Sequence, residues 1–153
     1  MSRLSLKTLS DLPADVARPA YDVAAARVGV VHLGVGAFHR AHQAVYLDDR
    51  LAAGEESWAV CGASLRSPET RDALGPQDGL YALARRGAEG EALRVVGALR
   101  RLLVAPESPG ALVDAMSDPR VRIVTLTVGD AGPAIGPWAA SIGSRSGKPV
   151  NSK

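Results

Sequence analysis

Residues 28–39 read Val-Gly-Val-Val-His-Leu-Gly-Val-Gly-Ala-Phe-His, and this stretch decides the fold. Val28–Leu33 is a short, β-branched apolar run of the kind that forms a strand buried on both faces. Gly34-Val35-Gly36-Ala37 breaks it. The polar and apolar spacing of Phe38–Ala53 then predicts a helix, with Gly54 as its natural stop. A buried strand running through a Gly-x-Gly turn into a helix is the opening unit of a dinucleotide-binding fold. The first glycine permits the tight turn, the second lets the backbone approach a pyrophosphate, and the helix start offers free N–H donors. His39 stands where the usual fingerprint has its third glycine. On the turn alone, a phosphate site and an ordinary strand-to-helix connection are equally good readings.

Working outward, Trp58–Ala63 predicts a second strand, Ser67–Leu74 a short helix with Pro68 in its first turn, and Val121–Val128 a further strand. Leu80–Leu83 and Leu93–Val96 predict a hairpin around the Gly87–Glu91 loop, while Leu99–Val104 fits no single class. Ser108-Pro109 opens a helix reaching Met116. Strands alternating with helix-sized segments give an α/β fold, a Rossmann-like parallel sheet with flanking helices, here incomplete. Three parts are expected: a lead-in over residues 1–27, a partial dinucleotide-binding domain over 28–128, and an irregular tail over 129–153. Of the 25 tail residues, 12 are Gly, Pro or Ser, a linker-like composition.

Charge sets bounds on partners. The 18 basic and 16 acidic residues include Arg145, Lys148, Lys153 and Asp130 in the tail, which leaves 15 of each sign before it. A body of zero net charge has no general field to draw nucleic acid, so no nucleic-acid partner is expected. No apolar run is long enough for a membrane span, and Leu4, Leu6, Leu9 and Leu12 are too dispersed for a signal peptide. A cytoplasmic protein is the expectation. Cys61, the single cysteine, reads as an inert buried thiol.

Candidate chemistry concentrates around the turn. An acid at the end of the second strand would accept from the ribose hydroxyls of NAD. The chain has Ser64-Leu65-Arg66-Ser67 there, while Glu55 and Glu56 precede the strand. Arg66 with Ser67 suits a 2′-phosphate, which favours NADP; Arg66 as a surface residue, or stacked on adenine, suits the sequence equally. His39 and His42 lie one helical turn apart, but no cysteine or third histidine joins them, so no metal is assigned. His32 reads as a satisfied core residue, and Asp48 and Asp49 as a solvated helix face.

The stretch His32-Leu-Gly-Val-Gly-Ala-Phe-His-Arg-Ala-His-Gln-Ala-Val-Tyr46 resembles the opening motif of the long-chain mannitol dehydrogenase and fructuronate reductase family. Cys61-Gly-Ala-Ser-Leu-Arg-Ser-Pro68, Arg71-Asp-Ala-Leu, Pro76-Gln-Asp-Gly-Leu-Tyr81, Gly97-Ala-Leu and Val121-Arg-Ile-Val-Thr-Leu-Thr-Val128 resemble it in the same order. The resemblance implies reversible hydride transfer between NAD, or NADP, and a polyol or aldonate such as mannitol, arabinitol, mannonate or altronate. It implies that Gly34, Val35, Gly36, Ala37, Phe38 and His39 hold the pyrophosphate. Ser64, Arg66 and Ser67 would surround the adenosine ribose, and Thr127 would lie on the nicotinamide side. The family's catalytic lysine, with its asparagine and histidine, belongs to a second, helical domain with no counterpart here. No catalytic residue is therefore assigned; Lys148 matches no family motif. Gly129-Asp-Ala-Gly-Pro replaces the family's Thr-Glu-Lys-Gly-Tyr-like continuation. The expectation is a truncated or frame-shifted dehydrogenase fragment, inactive alone. The alternative is a stand-alone dinucleotide-binding or regulatory module.

Overall fold

The computed structural model describes residues 3–88 and 90–127. The expected tail and the strand's last residue, Val128, lie outside them. Four parallel strands form the main sheet: β1 (Val28–Leu33), β2 (Ala59–Ser64), β5 (Leu99–Val104) and β6 (Ile123–Leu126), in the order β5-β2-β1-β6. β1 is central, paired on one side with β2 and on the other with β6. The segment left unclassed, Leu99–Val104, is the edge strand beyond β2. This is the parallel α/β arrangement expected from the strand–helix alternation, with the strand order reversing direction at β1.

The two faces of the sheet are covered separately, which explains the uninterrupted apolar runs in β1 and β2. Helix α2 (Gln43–Ala52) places Leu51 against Val30, Val60 and Leu99, joined by Leu74 of α3 (Glu69–Leu74). Helix α4 (Pro109–Ser117) places Leu112 and Ala115 on the other face, against Val31, Cys61 and Ala63. Ser108 is the N-cap of α4 and Pro109 its first residue, but the serine hydroxyl makes no capping bond. Burial pushes the Cys61 thiol up from its ordinary range, as an inert core cysteine requires. At the outer edge, Ile123, Val124 and Leu126 of β6 are exposed. No helix among the described residues is long and apolar enough to cross a membrane.

The expected hairpin is present but longer than its apolar residues suggested. β3 (Tyr81–Gly87) and β4 (Gly90–Val96) pair antiparallel down to Gly87 and Gly90. Its base carries Val95 and packs with Leu80 and Val23 under Leu4, Leu6, Leu9, Leu12 and Val16 of the lead-in. The dispersed leucines of the N-terminal segment therefore cover the hairpin.

Two expectations about the first helical segment need correction. It is two helices, α1 (Ala37–Ala41) and α2, broken at His42, whose backbone leaves helical geometry at φ −125° and ψ −88°. Gly54, at φ 91°, does end α2, its N–H bonded to the Leu51 carbonyl. The second correction is Asp48, which is 2% exposed rather than solvated. Its carboxylate accepts from the Tyr21 hydroxyl (2.5 Å), the Gly97 N–H (2.8 Å) and the Arg94 guanidinium (2.6 Å). Three partners from two distant segments satisfy a charge that burial would otherwise penalise. Asp49, beside it, stays exposed and shares Arg94 from outside. Asp48 thus ties α2 to the lead-in and to the hairpin base.

Replacing Asp48 by Ala strands a backbone N–H, a tyrosine hydroxyl and part of the Arg94 charge. The expected loss is about 3 kcal/mol of unfolding free energy. Asp49→Ala should cost less than about 1 kcal/mol. Urea denaturation of both variants beside the parent measures the difference, and equal midpoints would contradict the clamp.

Candidate dinucleotide site

Because the four strands are parallel, the segments after β1, β2 and β6 emerge at one edge of the sheet. All the sequence-predicted site residues lie there. Gly34 follows β1 at φ 88°, a conformation that favours glycine. Its N–H bonds to the Ala63 carbonyl at 2.8 Å, holding the turn to the end of β2. A Cβ on Gly34 would sit 3.4 Å from the Thr127 carbonyl oxygen, so the turn also lies against the end of β6. Gly34 and Thr127 are therefore neighbours, at the crevice where the strand order reverses. Ser64 ends β2, and Arg66 and Ser67 follow it at the same edge; Arg66 is exposed, and the serines are half-buried.

Gly36 is different from Gly34. Its backbone is extended (φ −90°, ψ −170°), a region open to any residue. A Cβ there would meet nothing nearer than the Gly34 carbonyl oxygen at 3.9 Å. Nothing among the described residues demands glycine at 36. The Ala37, Phe38 and His39 amides, at the first positions of α1, have no acceptor among the described residues. Together they form an open cradle of donors with a bare backbone beside it, suited to an anionic group. Val35 is buried and points inward against Gly62 of β2, where a Cβ would come within 2.7 Å of Val35 Cγ2. Gly62 is a residue of the site that sequence reasoning missed. Its signal was a lone glycine inside an apolar strand, the mark of a close approach by another segment.

Beneath the turn lies a buried histidine pair. His32 and His39 are stacked with ring centroids 3.7 Å apart and planes 15° from parallel. His32, as expected, is a satisfied core residue: Nδ1 lies 2.8 Å from Thr125 Oγ1 and Nε2 lies 2.9 Å from Thr127 Oγ1. His39 is 1% exposed, and neither ring nitrogen has a hydrogen-bond partner among the described residues. Its ring packs between α1 and β1, at the position where the usual fingerprint has its third glycine. Burial, then the neighbouring His32, lowers the His39 pKa to about 4, only partly opposed by the nearby Gln43 amide. Burial lowers His32 as well. His42 points elsewhere, between the exposed rings of Phe38 and Tyr46 at 5.2 and 5.3 Å. Thus His39 and His42 do not converge, and no cluster of three metal-ligating side chains occurs among the described residues.

The unfolded chain takes up a proton at His39 near its ordinary pKa of 6.5, the folded chain only near 4. Above pH 6.5 the neutral ring suits both states. As the pH falls through that window the unfolded state binds the proton first, and stability drops by up to roughly 3 kcal/mol. His39→Phe keeps a ring on His32 and removes the titration. Its unfolding free energy should fall less between pH 7 and pH 4 than the parent's. Identical slopes in denaturation series across that range would refute the assignment.

Comparison with known proteins agrees with this geometry. The sequence signature of the mannitol dehydrogenase Rossmann domain matches residues 28–143, running past the point where the motif resemblance fades. A mannitol 2-dehydrogenase of Cereibacter sphaeroides is 49% identical over 120 residues, covering 76% of this chain and 25% of that protein. The polyol:NADP oxidoreductase of Gluconobacter oxydans is 39% identical over 134 residues, 84% of this chain and 27% of that one. Among solved structures, the Pseudomonas fluorescens mannitol 2-dehydrogenase ternary complex with NAD and D-mannitol superposes with a TM-score of 0.77 at 41% identity. It covers 81% of this chain and 26% of that one. A D-sorbitol dehydrogenase in substrate-free form gives 0.76 at 37% identity, over 84% of this chain and 28% of that one. The chain thus spans about a quarter of the length of the relatives it matches. With its strand order, its glycine turn and its ordered motif blocks all in agreement, the chain belongs to the mannitol dehydrogenase family and carries that family's Rossmann domain.

Proposed function

We propose that this chain is the NAD(P)-binding portion of an oxidoreductase that transfers hydride between a nicotinamide cofactor and a polyol or aldonate, of the mannitol/fructose or mannonate/fructuronate class. The observation that carries the reading is the turn itself. Gly36 has no structural need to be glycine, and it stands beside three amides without acceptors at the strand-order reversal. A bound pyrophosphate explains both. Gly34, Val35, Gly36, Ala37, Phe38 and His39 would cradle it, with Val35 and His39 anchoring the turn from below. Ser64, Arg66 and Ser67 would face the adenosine ribose. With no acid in that loop, either NAD or NADP fits it; NAD is the assignment supported by the complex of the Pseudomonas relative. Thr127 would lie on the nicotinamide side of the crevice.

The cofactor, when bound, accepts or donates the hydride. The described residues do the holding and supply no convincing base. His32 has both nitrogens engaged, and His39 is buried. His42 lies beyond the pyrophosphate turn, against Phe38 and Tyr46. Oxidation of a secondary alcohol needs a base within hydrogen-bond reach of its hydroxyl. The resemblance to mannitol dehydrogenases implies a base contributed by a second domain.

Two outcomes are expected. Gly36→Val keeps its fold, since the extended backbone and the space around a Cβ there admit a side chain's first atom, but weakens NADH binding at least tenfold by calorimetry. Unchanged affinity in a folded variant would move the phosphate elsewhere. A polypeptide of these 153 residues, given NAD or NADP with mannitol, arabinitol, mannonate or altronate, forms no reduced cofactor above a Gly34/Gly36 double-variant control. Turnover above that control would mean a base resides in this chain.

A further inference from the structure

A line of side-chain hydrogen bonds runs from helix α2 to the crevice. Thr125 Oγ1 donates to Gln43 Oε1 at 3.0 Å. Thr125 also faces His32 Nδ1, and Thr127 faces His32 Nε2. The register places His32 beside Thr125 on β6, and the period-2 alternation of a strand brings Thr127 to the same face. His39 stacks over the ring of His32 from α1.

A hydroxyl has one proton to give. Thr125 gives its proton to Gln43, so it can only accept from His32, and Nδ1 must carry the hydrogen. Burial keeps His32 below its ordinary pKa, so near neutral pH the ring holds a single proton. Nε2 is then bare and takes the Thr127 proton. The Thr127 hydroxyl, half-buried beside Gly34, is left with only lone pairs to offer the crevice.

We infer that Gln43, Thr125 and His32 form a proton-ordered relay that makes Thr127 a hydrogen-bond acceptor, positioned to select a ligand group that donates. This rests on the dinucleotide-binding reading for the identity of the ligand. In a nicotinamide cofactor, the donor that suits it is the carboxamide NH2. Thr127 is a specificity residue in this scheme; Gln43, Thr125 and His32 are positioning residues. The relay also gives the buried His32 a reason to be histidine, because an apolar residue there would leave the direction of the Thr127 hydroxyl unset.

The test has two arms on the full chain. Nitrogen-15 NMR of the ligand-free protein near pH 7.5 should show His32 as the Nδ1–H tautomer. Gln43→Glu, which can only accept, should retain it. Gln43→Met frees the Thr125 proton and should shift the population toward Nε2–H. An Nε2–H parent, or a tautomer indifferent to Gln43→Met, would overturn the relay. In the second arm, NADH is compared with its 3-acetylpyridine analogue, which lacks the amide donor. The parent should prefer NADH by about three- to tenfold, the scale of one neutral hydrogen bond, and Thr127→Val should lose the preference. Equal preference in both proteins would overturn the role given to Thr127. Binding of neither compound would sink the dinucleotide reading itself and with it the ligand assignment, while the tautomer still decides the proton order.

Discussion

The site depends on one constraint, that β1 is hydrogen-bonded to a parallel strand on each side. A strand gripped in this way cannot shift its register without misplacing both neighbours. Its end is therefore a fixed point, and the glycine turn leaves from that point. The Gly34 N–H bonds to Ala63, and the Thr127 N–H bonds to Leu33. These contacts extend the sheet's order one residue beyond its strands. The open amides of α1 inherit their position from this pairing, since the helix is too short to hold itself in place.

The packing around that point is tight where the protein needs rigidity and empty where a ligand would come. Val35 pressed into Gly62 and His39 laid on His32 fix the turn from below. Above it, Gly36 leaves room for a group no closer than van der Waals contact with the Gly34 carbonyl. A site prepared this way gives up little conformational freedom on binding, which is the benefit of a preformed cradle. The histidine stack does this at a cost, for the nitrogens of His39 are buried without partners.

Much of this was legible in the sequence because it is local. β-branched runs, a glycine turn and a proline-led helix declare themselves within a few residues, and the order of motif blocks declared the family. What escaped reading depends on distance. Asp48 looks like any helix-surface acid until Arg94, 46 positions later, is brought beside it. Leu99–Val104 carries two arginines and so lacks the continuous apolar signature of β1; an edge strand needs to be buried on fewer sides. Likewise the helix break at His42 has no proline or glycine to announce it. The relay from Gln43 to Thr127 spans three elements, and its one sequence trace is the alternation of Thr125 and Thr127.

The contact of Val35 with Gly62 has an evolutionary consequence. A Cβ at position 62 and a branched side chain at position 35 claim the same volume. Enlargement at 62 requires a smaller residue at 35, and the turn over β2 would then settle to a new depth. The two positions form a joint unit of inheritance. The phosphate-facing loop is thereby tied to a buried glycine inside β2, and a change in the core becomes a change in the shape of the nucleotide cradle.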